Sequence, residues 1–236
     1  MRGKNYNTLN MDNFSTPGWL FAIFCCLIIG MSKCGMSGLT SLAVPLMDSI
    51  MPAKAATGAI LPLLILGDLL GALYFKRHAN LKILLRLMPI AFLGILLGYI
   101  LLGCSYVDDK FIRIATGVIV ITMVAMNSCS SFIHNFLHTK ELPANSESSA
   151  LPPSNNAYVW AMAIIFGIAA GFTTMLANAA GPVVMIYLLF MKLPKNEFIG
   201  TSAWYFLVLN WVKVPFMIER EMITLDSLKF NLKLAP

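Results

Sequence analysis

The chain has 236 residues, of which 58% are hydrophobic and 12% charged, with a mean hydropathy of +0.76 and a formal net charge of +6. So few charges cannot cover that much apolar side chain in water, which excludes an ordinary soluble domain and predicts an all-α polytopic membrane protein. The positive balance does not point to nucleic acid, because the Lys and Arg residues lie around the apolar blocks, where membrane topology places them.

Residues 1–18 are polar and rich in Asn, and the apolar stretch after them lacks a small-residue cleavage site, so the first span is expected to be retained. Apolar blocks follow at 19–47, 57–75, 83–103, 111–136, 158–190 and 198–218. A hydrocarbon core of ~30 Å takes ~20 helical residues, and none of the blocks shows the alternation of a barrel strand. The blocks 19–47 and 158–190 are too long for one span, since as helices they would reach ~44 and ~50 Å. Gly35-Met-Ser-Gly38 interrupts the first and Asn178-Ala-Ala-Gly-Pro182 the second. Each is therefore a broken helix crossing once or a hairpin of two shorter helices. Single crossings would put the N-terminus, 76–88, 137–157 and the C-terminal tail on the side richer in Lys and Arg. That arrangement predicts a cytoplasmic N-terminus in a cell (plasma or inner) membrane.

The blocks repeat. Trp19…Gly30 matches Trp160…Gly171, Pro52…Gly58 matches Pro194…Gly200, and the tails Leu81-Lys-Ile-Leu-Leu-Arg-Leu-Met-Pro89 and Leu228-Lys-Phe-Asn-Leu-Lys-Leu-Ala-Pro236 run in parallel. The expected organisation is a first repeat at 19–136, a polar linker at 137–157 and a second repeat at 158–236, each of up to four transmembrane helices with the first one broken. Repeat one continues past Pro89 with two further blocks and repeat two does not. A truncated gene product with an incomplete second repeat is the expectation.

Polar residues within these blocks carry the functional argument. Lys33 lies mid-block, where a charge costs at least ~2.5 kcal/mol on insertion scales and needs a partner, water or ligand. Asp68 lies in the middle of the next block, and a structural Lys33–Asp68 ion pair is the plain alternative to a binding role. In the repeat alignment Lys33 falls opposite Thr174 and Asp68 opposite Asn210, while Lys213 lies one turn beyond Asn210. The sum of the three charges suits a small anion. Lys213 is close enough to its block's end that snorkelling to the interface is its expected fate. Pro182, at the start of a helix, would leave the amides of Gly181–Val184 as donors for an anion, and Ser37 with Gly38 offers the same in repeat one. For Gly30, Gly94 and Gly98, close helix packing is the preferred reading.

Enzymatic readings fail on geometry. Gly35-Met36-Ser37-Gly38 has the GxSG form of intramembrane serine proteases, but His78, His134 and His138 lie at block ends or in loops, away from a buried serine. The five cysteines, Cys25, Cys26, Cys34, Cys104 and Cys129, form no CxxC or metal-ligand spacing and read as thiols filling the core. Neither a metal nor a cofactor is expected. Cys34, beside Lys33, leaves a sulfur-handling role as a third idea.

Several of these segments, in order, resemble the sulfite exporter TauE/SafE family. They are Gly30-Met-Ser-Lys-Cys-Gly-Met-Ser-Gly-Leu-Thr-Ser-Leu-Ala-Val-Pro-Leu46, Thr57-Gly…Leu66-Gly-Asp68, Gly171-Phe-Thr-Thr-Met-Leu-Ala-Asn-Ala-Ala-Gly-Pro182, Lys195-Asn-Glu-Phe-Ile-Gly-Thr-Ser-Ala-Trp204 and Asn210-Trp-Val-Lys-Val-Pro215. The resemblance implies an inner-membrane permease of two related four-helix units that moves small sulfur-containing anions such as sulfite or organosulfonates. Its members continue for roughly two more spans. Lys33, Asp68, Asn178, Asn210 and Lys213 fall on matching motif positions. The expected function is alternating access around a midplane site, with Lys33 and the broken-helix amides binding the anion. Asp68 would position Lys33 or carry a coupled proton. A non-transporting membrane scaffold or partner subunit is the alternative from another class.

Overall fold

The computed structural model describes residues 16–33, 40–104, 107, 108, 110–122, 125 and 156–234, and among them every regular element is helical. In chain order these are α1 (Thr16–Lys33), α2 (Thr40–Met47), α3 (Ala53–Tyr74), α4 (Leu81–Leu102), α5 (110–122), α6 (Asn156–Ala177), α7 (Gly181–Phe190), α8 (Lys195–Glu219) and α9 (Leu225–Leu234). A 3-10 turn, Lys76–His78, joins α3 to α4. Helices over Ala53–Tyr74, Leu81–Leu102 and Ala157–Ala177 are long and apolar enough to cross a membrane. Their outward faces carry Leu70, Leu85, Ile100 and Ile165, all well exposed, as a lipid-facing surface requires. Of the linker 137–157, residues 137–155 lie outside the described residues, and 156 and 157 belong to α6.

Local sequence sets the helix ends. α3 and α8 each start directly after a proline, Pro52 and Pro194, held at φ −56° and −55° in extended backbone. Proline fixes that angle, and as the residue before the helix it leaves no donor unpaired. Asn80 caps α4, its side chain accepting from the Ile83 amide. α6 ends at Ala177 and α7 begins at Gly181 with a proline in its first turn, so the second break falls where Asn178-Ala-Ala-Gly-Pro182 places it. α1 is described to Lys33 and α2 from Thr40, and Gly35–Gly38 between them lie outside the described residues.

Ring contacts decide how the block 158–190 runs. Tyr158 near the start of α6 lies 5.4 Å from Phe190 at the end of α7, and Phe166 lies 6.3 Å from Tyr187. α7 thus returns along α6 as a hairpin. α1 and α2 likewise pack on one another.

α3 and α8 are antiparallel along their whole length. A methyl on Gly58 would lie 1.8 Å from the Met222 carbonyl oxygen, beyond the far end of α8. Gly71 faces Ala203, and Gly200 lies against Phe75 and His78, beyond the far end of α3. α4 and α6 instead run parallel, joined by two rows of small residues. Gly94 meets Ile168 and Gly171, Gly98 meets Met175, Gly167 meets Ile90, and Gly171 meets the Ala91 carbonyl, where a methyl would lie at 1.9 Å. This is the small-residue seam by which membrane helices gain dispersion contact when lipid supplies no hydrophobic drive. Gly94 and Gly98 act as the sequence suggests. Gly30 does not, because a methyl there meets nothing within 4 Å.

Two aromatic–cation contacts mark corresponding places in the two halves. Arg86 of α4 lies over Trp160 of α6 at 5.1 Å, and Lys233 of α9 lies over Trp19 of α1 at 5.6 Å. Trp19 also packs on Phe230, which joins Ala22, Cys25, Val44 and Ile60 in the core of α1, α2 and α3. α4 therefore packs on α6, and α9 on α3 and α1.

This path overturns the assignment of sides from single crossings. The start of α8 shares an end of the bundle with the 75–80 turn, because Thr201 Oγ1 accepts from the Asn80 amide and Asn80 Nδ2 donates to Glu197. α8 then rises ~37 Å to the opposite end. Lys192 and Lys195 belong with 76–88, while Arg220 lies at the other end over Tyr99, and Lys229 and Lys233 follow it on α9, with Lys233 over Trp19. Single crossings group Arg220, Lys229 and Lys233 with 76–88, and the structure does not.

Candidate functional site

Asp68 and Asn210 meet at the centre of the α3–α8 contact. Asn210 Nδ2 donates to Asp68 Oδ2 at 2.7 Å, and the two residues are 2% and 3% exposed. Asp68 lies ~15 Å along α3 from Gly58, and Asn210 lies ~15 Å along α8 from Gly200. Those two glycines mark opposite ends of the bundle, so the pair lies near mid-depth. The carboxamide satisfies one carboxylate oxygen and brings no charge of its own.

One turn further along α8, Lys213 is 0% exposed. Its ammonium donates to the Thr174 carbonyl at 3.1 Å, to Thr174 Oγ1 at 3.0 Å and to Asn178 Oδ1 at 2.5 Å. The expected snorkelling does not occur, and the physical reason is visible. Three oxygens at the C-terminal end of α6 receive the three N–H groups, and the negative end of that helix dipole offsets the charge. The interface is thereby replaced by a polar socket inside the bundle.

Asn178 ties this socket to the first half of the chain. Its backbone is left-handed, φ 50°, a conformation that ends α6 and that Asn tolerates better than most residues. While Oδ1 accepts from Lys213, Nδ2 donates to the Thr57 carbonyl at 2.8 Å. Thr57 Oγ1 donates to the Ala53 carbonyl at 3.0 Å and approaches that of Leu176 at 3.4 Å. A buried polar chain thus runs from mid-depth to the first turn of α3, where Gly58 meets Met222.

The structure brings together Thr174, Asn178 and Lys213, and separately Asp68 and Asn210. Gly181 and Pro182 open α7 directly after the break, with Pro182, Val183 and Val184 buried. The side chain of Lys33, and Cys34, Ser37 and Gly38, lie outside the described residues, so the Lys33–Asp68 pair is not among the contacts described. In the sequence Thr57 and Gly58 are visible only as a motif fragment. The role of Thr57 rests on a main-chain carbonyl, which side-chain chemistry does not announce. Sequence reasoning misses Asn80, a polar residue at a helix end, and reaches Glu197 and Thr201 only as unassigned members of the Lys195–Trp204 motif. Among the described residues, no group of three His, Cys, Asp or Glu is placed to hold a metal ion.

Long apolar helices packed through glycine seams around buried ionisable groups define a multi-pass membrane protein of the transporter class. The family model "Sulfite exporter TauE/SafE" matches residues 22–235, and the chain belongs to that family of membrane transporters of sulfur anions. No curated protein and no solved structure matches it.

Proposed function

We infer that the protein is a permease for a small sulfur oxyanion, sulfite or an organosulfonate, working by alternating access about the Asp68–Asn210 level. The observation that carries this reading is the wholly buried ammonium of Lys213 at a break between two helices, in a chain of this family. A tetrahedral or pyramidal oxyanion offers the acceptors that Thr174 and Asn178 now provide. Lys33, Ser37 and Gly38 are proposed to complete the site from the α1–α2 break, as Gly181 and Pro182 do from the start of α7. Asp68 is proposed to carry a coupled proton or to position a lysine. The two halves are proposed to be inverted repeats, a reading supported by the antiparallel α3 and α8 and by the paired Arg86–Trp160 and Lys233–Trp19 contacts.

The test is sulfite flux into proteoliposomes, with sulfate, sulfoacetate and chloride as competitors. Saturable flux inhibited by a sulfur oxyanion and not by chloride is the expected result. Correctly inserted protein that moves none of these anions refutes it. One observation favours a second reading, a membrane scaffold: the three donors of Lys213 are already met by protein oxygens. A scaffold tolerates apolar replacement of Lys213 and Asp68 together and keeps its partner, whereas a transporter loses flux.

A further inference from the structure

We propose that Asn178 is an anion-released latch that holds one end of the permeation path shut, a role that rests on the transport reading above. A single carboxamide makes two bonds to two different elements, Lys213 on α8 through Oδ1 and the Thr57 carbonyl on α3 through Nδ2. It does so from the residue whose left-handed backbone forms the corner between α6 and α7. Directly beside Thr57, Gly58 receives the Met222 carbonyl so closely that no Cβ fits between them. That contact seals α3 against the α8–α9 turn at this end. The opposite end has a looser counterpart, where a methyl on Gly200 would lie 2.9 Å from His78 main chain, and its ties run through Asn80, Glu197 and Thr201.

The two bonds of Asn178 depend on each other. The bond from Lys213 fixes which face of the amide is oxygen, and so aims Nδ2 at Thr57. An oxyanion competes for the N–H groups of Lys213 with a full negative charge, and so adds an ion–ion attraction that the neutral amide oxygen of Asn178 cannot offer. Once Lys213 turns to the anion, Asn178 Oδ1 loses the donor that aims it. The corner residue, already in a strained conformation, is then free to rotate away from Thr57. The α3 end and the Met222 turn separate, and the path opens at the end where the anion has arrived.

Hydrogen–deuterium exchange of the full chain in lipid nanodiscs tests this, followed in peptides covering 53–60 and 219–225, with 75–83 and 195–202 as the opposite-end control. In wild-type protein, saturating sulfite is expected to raise exchange in the first pair several-fold and leave the control unchanged. Asn178→Ala is expected to show the raised exchange without any anion and no further response. Asn178→Asp keeps a partner for Lys213, now a charged one, but loses the donor to the Thr57 carbonyl, so it is expected to show the raised exchange without any anion and a raised half-saturating concentration for flux. Wild-type exchange and response in Asn178→Ala overturn the latch. So does a rise shared equally by both ends, which marks a merely structural residue. If wild-type protein carries sulfite yet its exchange does not respond, the trigger is wrong. If there is neither flux nor response, the transport reading fails, and the anion-free comparison of wild type with the two variants still decides whether Asn178 holds that end closed.

Discussion

Lys213→Met removes one charge from the middle of the bundle while keeping an unbranched side chain of similar length, and its effects on folding and on transport separate. On the folding side, two terms oppose each other. A buried lysine costs ~2.5–3.5 kcal/mol on insertion scales, and methionine relieves that. Against it, Asn178 Oδ1 is left buried without its Lys213 donor, which costs ~1–3 kcal/mol. The Thr174 carbonyl keeps its bond from the Asn178 amide, 3.0 Å, so it is not orphaned. The net change should stay within about 2 kcal/mol, a shift of no more than ~8 °C in the melting midpoint for a chain of this size. On the transport side, a charge-assisted bond to the anion is worth ~1.5–3 kcal/mol, so its loss should raise the half-saturating sulfite concentration ten- to 150-fold, on the order of one to two decades. Thermal melting in detergent and concentration-dependent flux into proteoliposomes measure the two quantities on one preparation. A variant that melts normally and keeps its half-saturating concentration within a factor of two refutes Lys213 as an anion ligand. A collapse in melting temperature would show instead that the socket at the end of α6 is essential to the fold.

Asp68→Asn should insert and fold normally, because an amide oxygen at that position can still accept from Asn210 Nδ2, but sulfite uptake driven by a pH gradient should fall at least tenfold; unchanged uptake removes Asp68 from coupling. Lys33→Met should abolish flux without preventing insertion, measured by surface biotinylation beside the uptake assay, and normal uptake would take Lys33 out of the site. Gly171→Ala places a methyl 1.9 Å from the Ala91 carbonyl and must part α4 from α6, costing ~2 kcal/mol or more by overpacking. Gly30→Ala meets open space and should be neutral or slightly stabilising by helix propensity; melting curves that rank the two in the opposite order would contradict the described packing.

How much of this is legible in the sequence varies with the kind of interaction. Membrane residence, helical class and the break between α6 and α7 follow from composition and from glycine and proline placement, because these are local properties. The hairpin of α6 and α7 is not legible, since only the Tyr158–Phe190 and Phe166–Tyr187 contacts distinguish it from a broken span. Distance from the block's end assigns Lys213 to the interface, a rule that holds for a helix facing lipid. It fails here because the three oxygens that receive Lys213 come from the end of α6 and the residue after it, some forty residues away in sequence, and nothing local to α8 reveals them.

Asp68 and Asn210 are legible for a deeper reason. They occupy matching positions in two segments that run antiparallel, Pro52 onward and Pro194 onward, and they touch. In two antiparallel copies packed face to face, matching positions diverge toward the ends and meet only where the copies cross. On the proposed inverted repeat, an aligned pair of polar residues marks the crossing point from the sequence alone, and Asp68 and Asn210 lie near mid-depth. Matching positions elsewhere obey the same geometry. Gly58 and Gly200 align, and they lie at opposite ends, each against the turn that follows the other's helix. The chemistry at the crossing is unequal, an acid against an amide, and so is the chemistry beside it, Lys213 against the aligned Gly71.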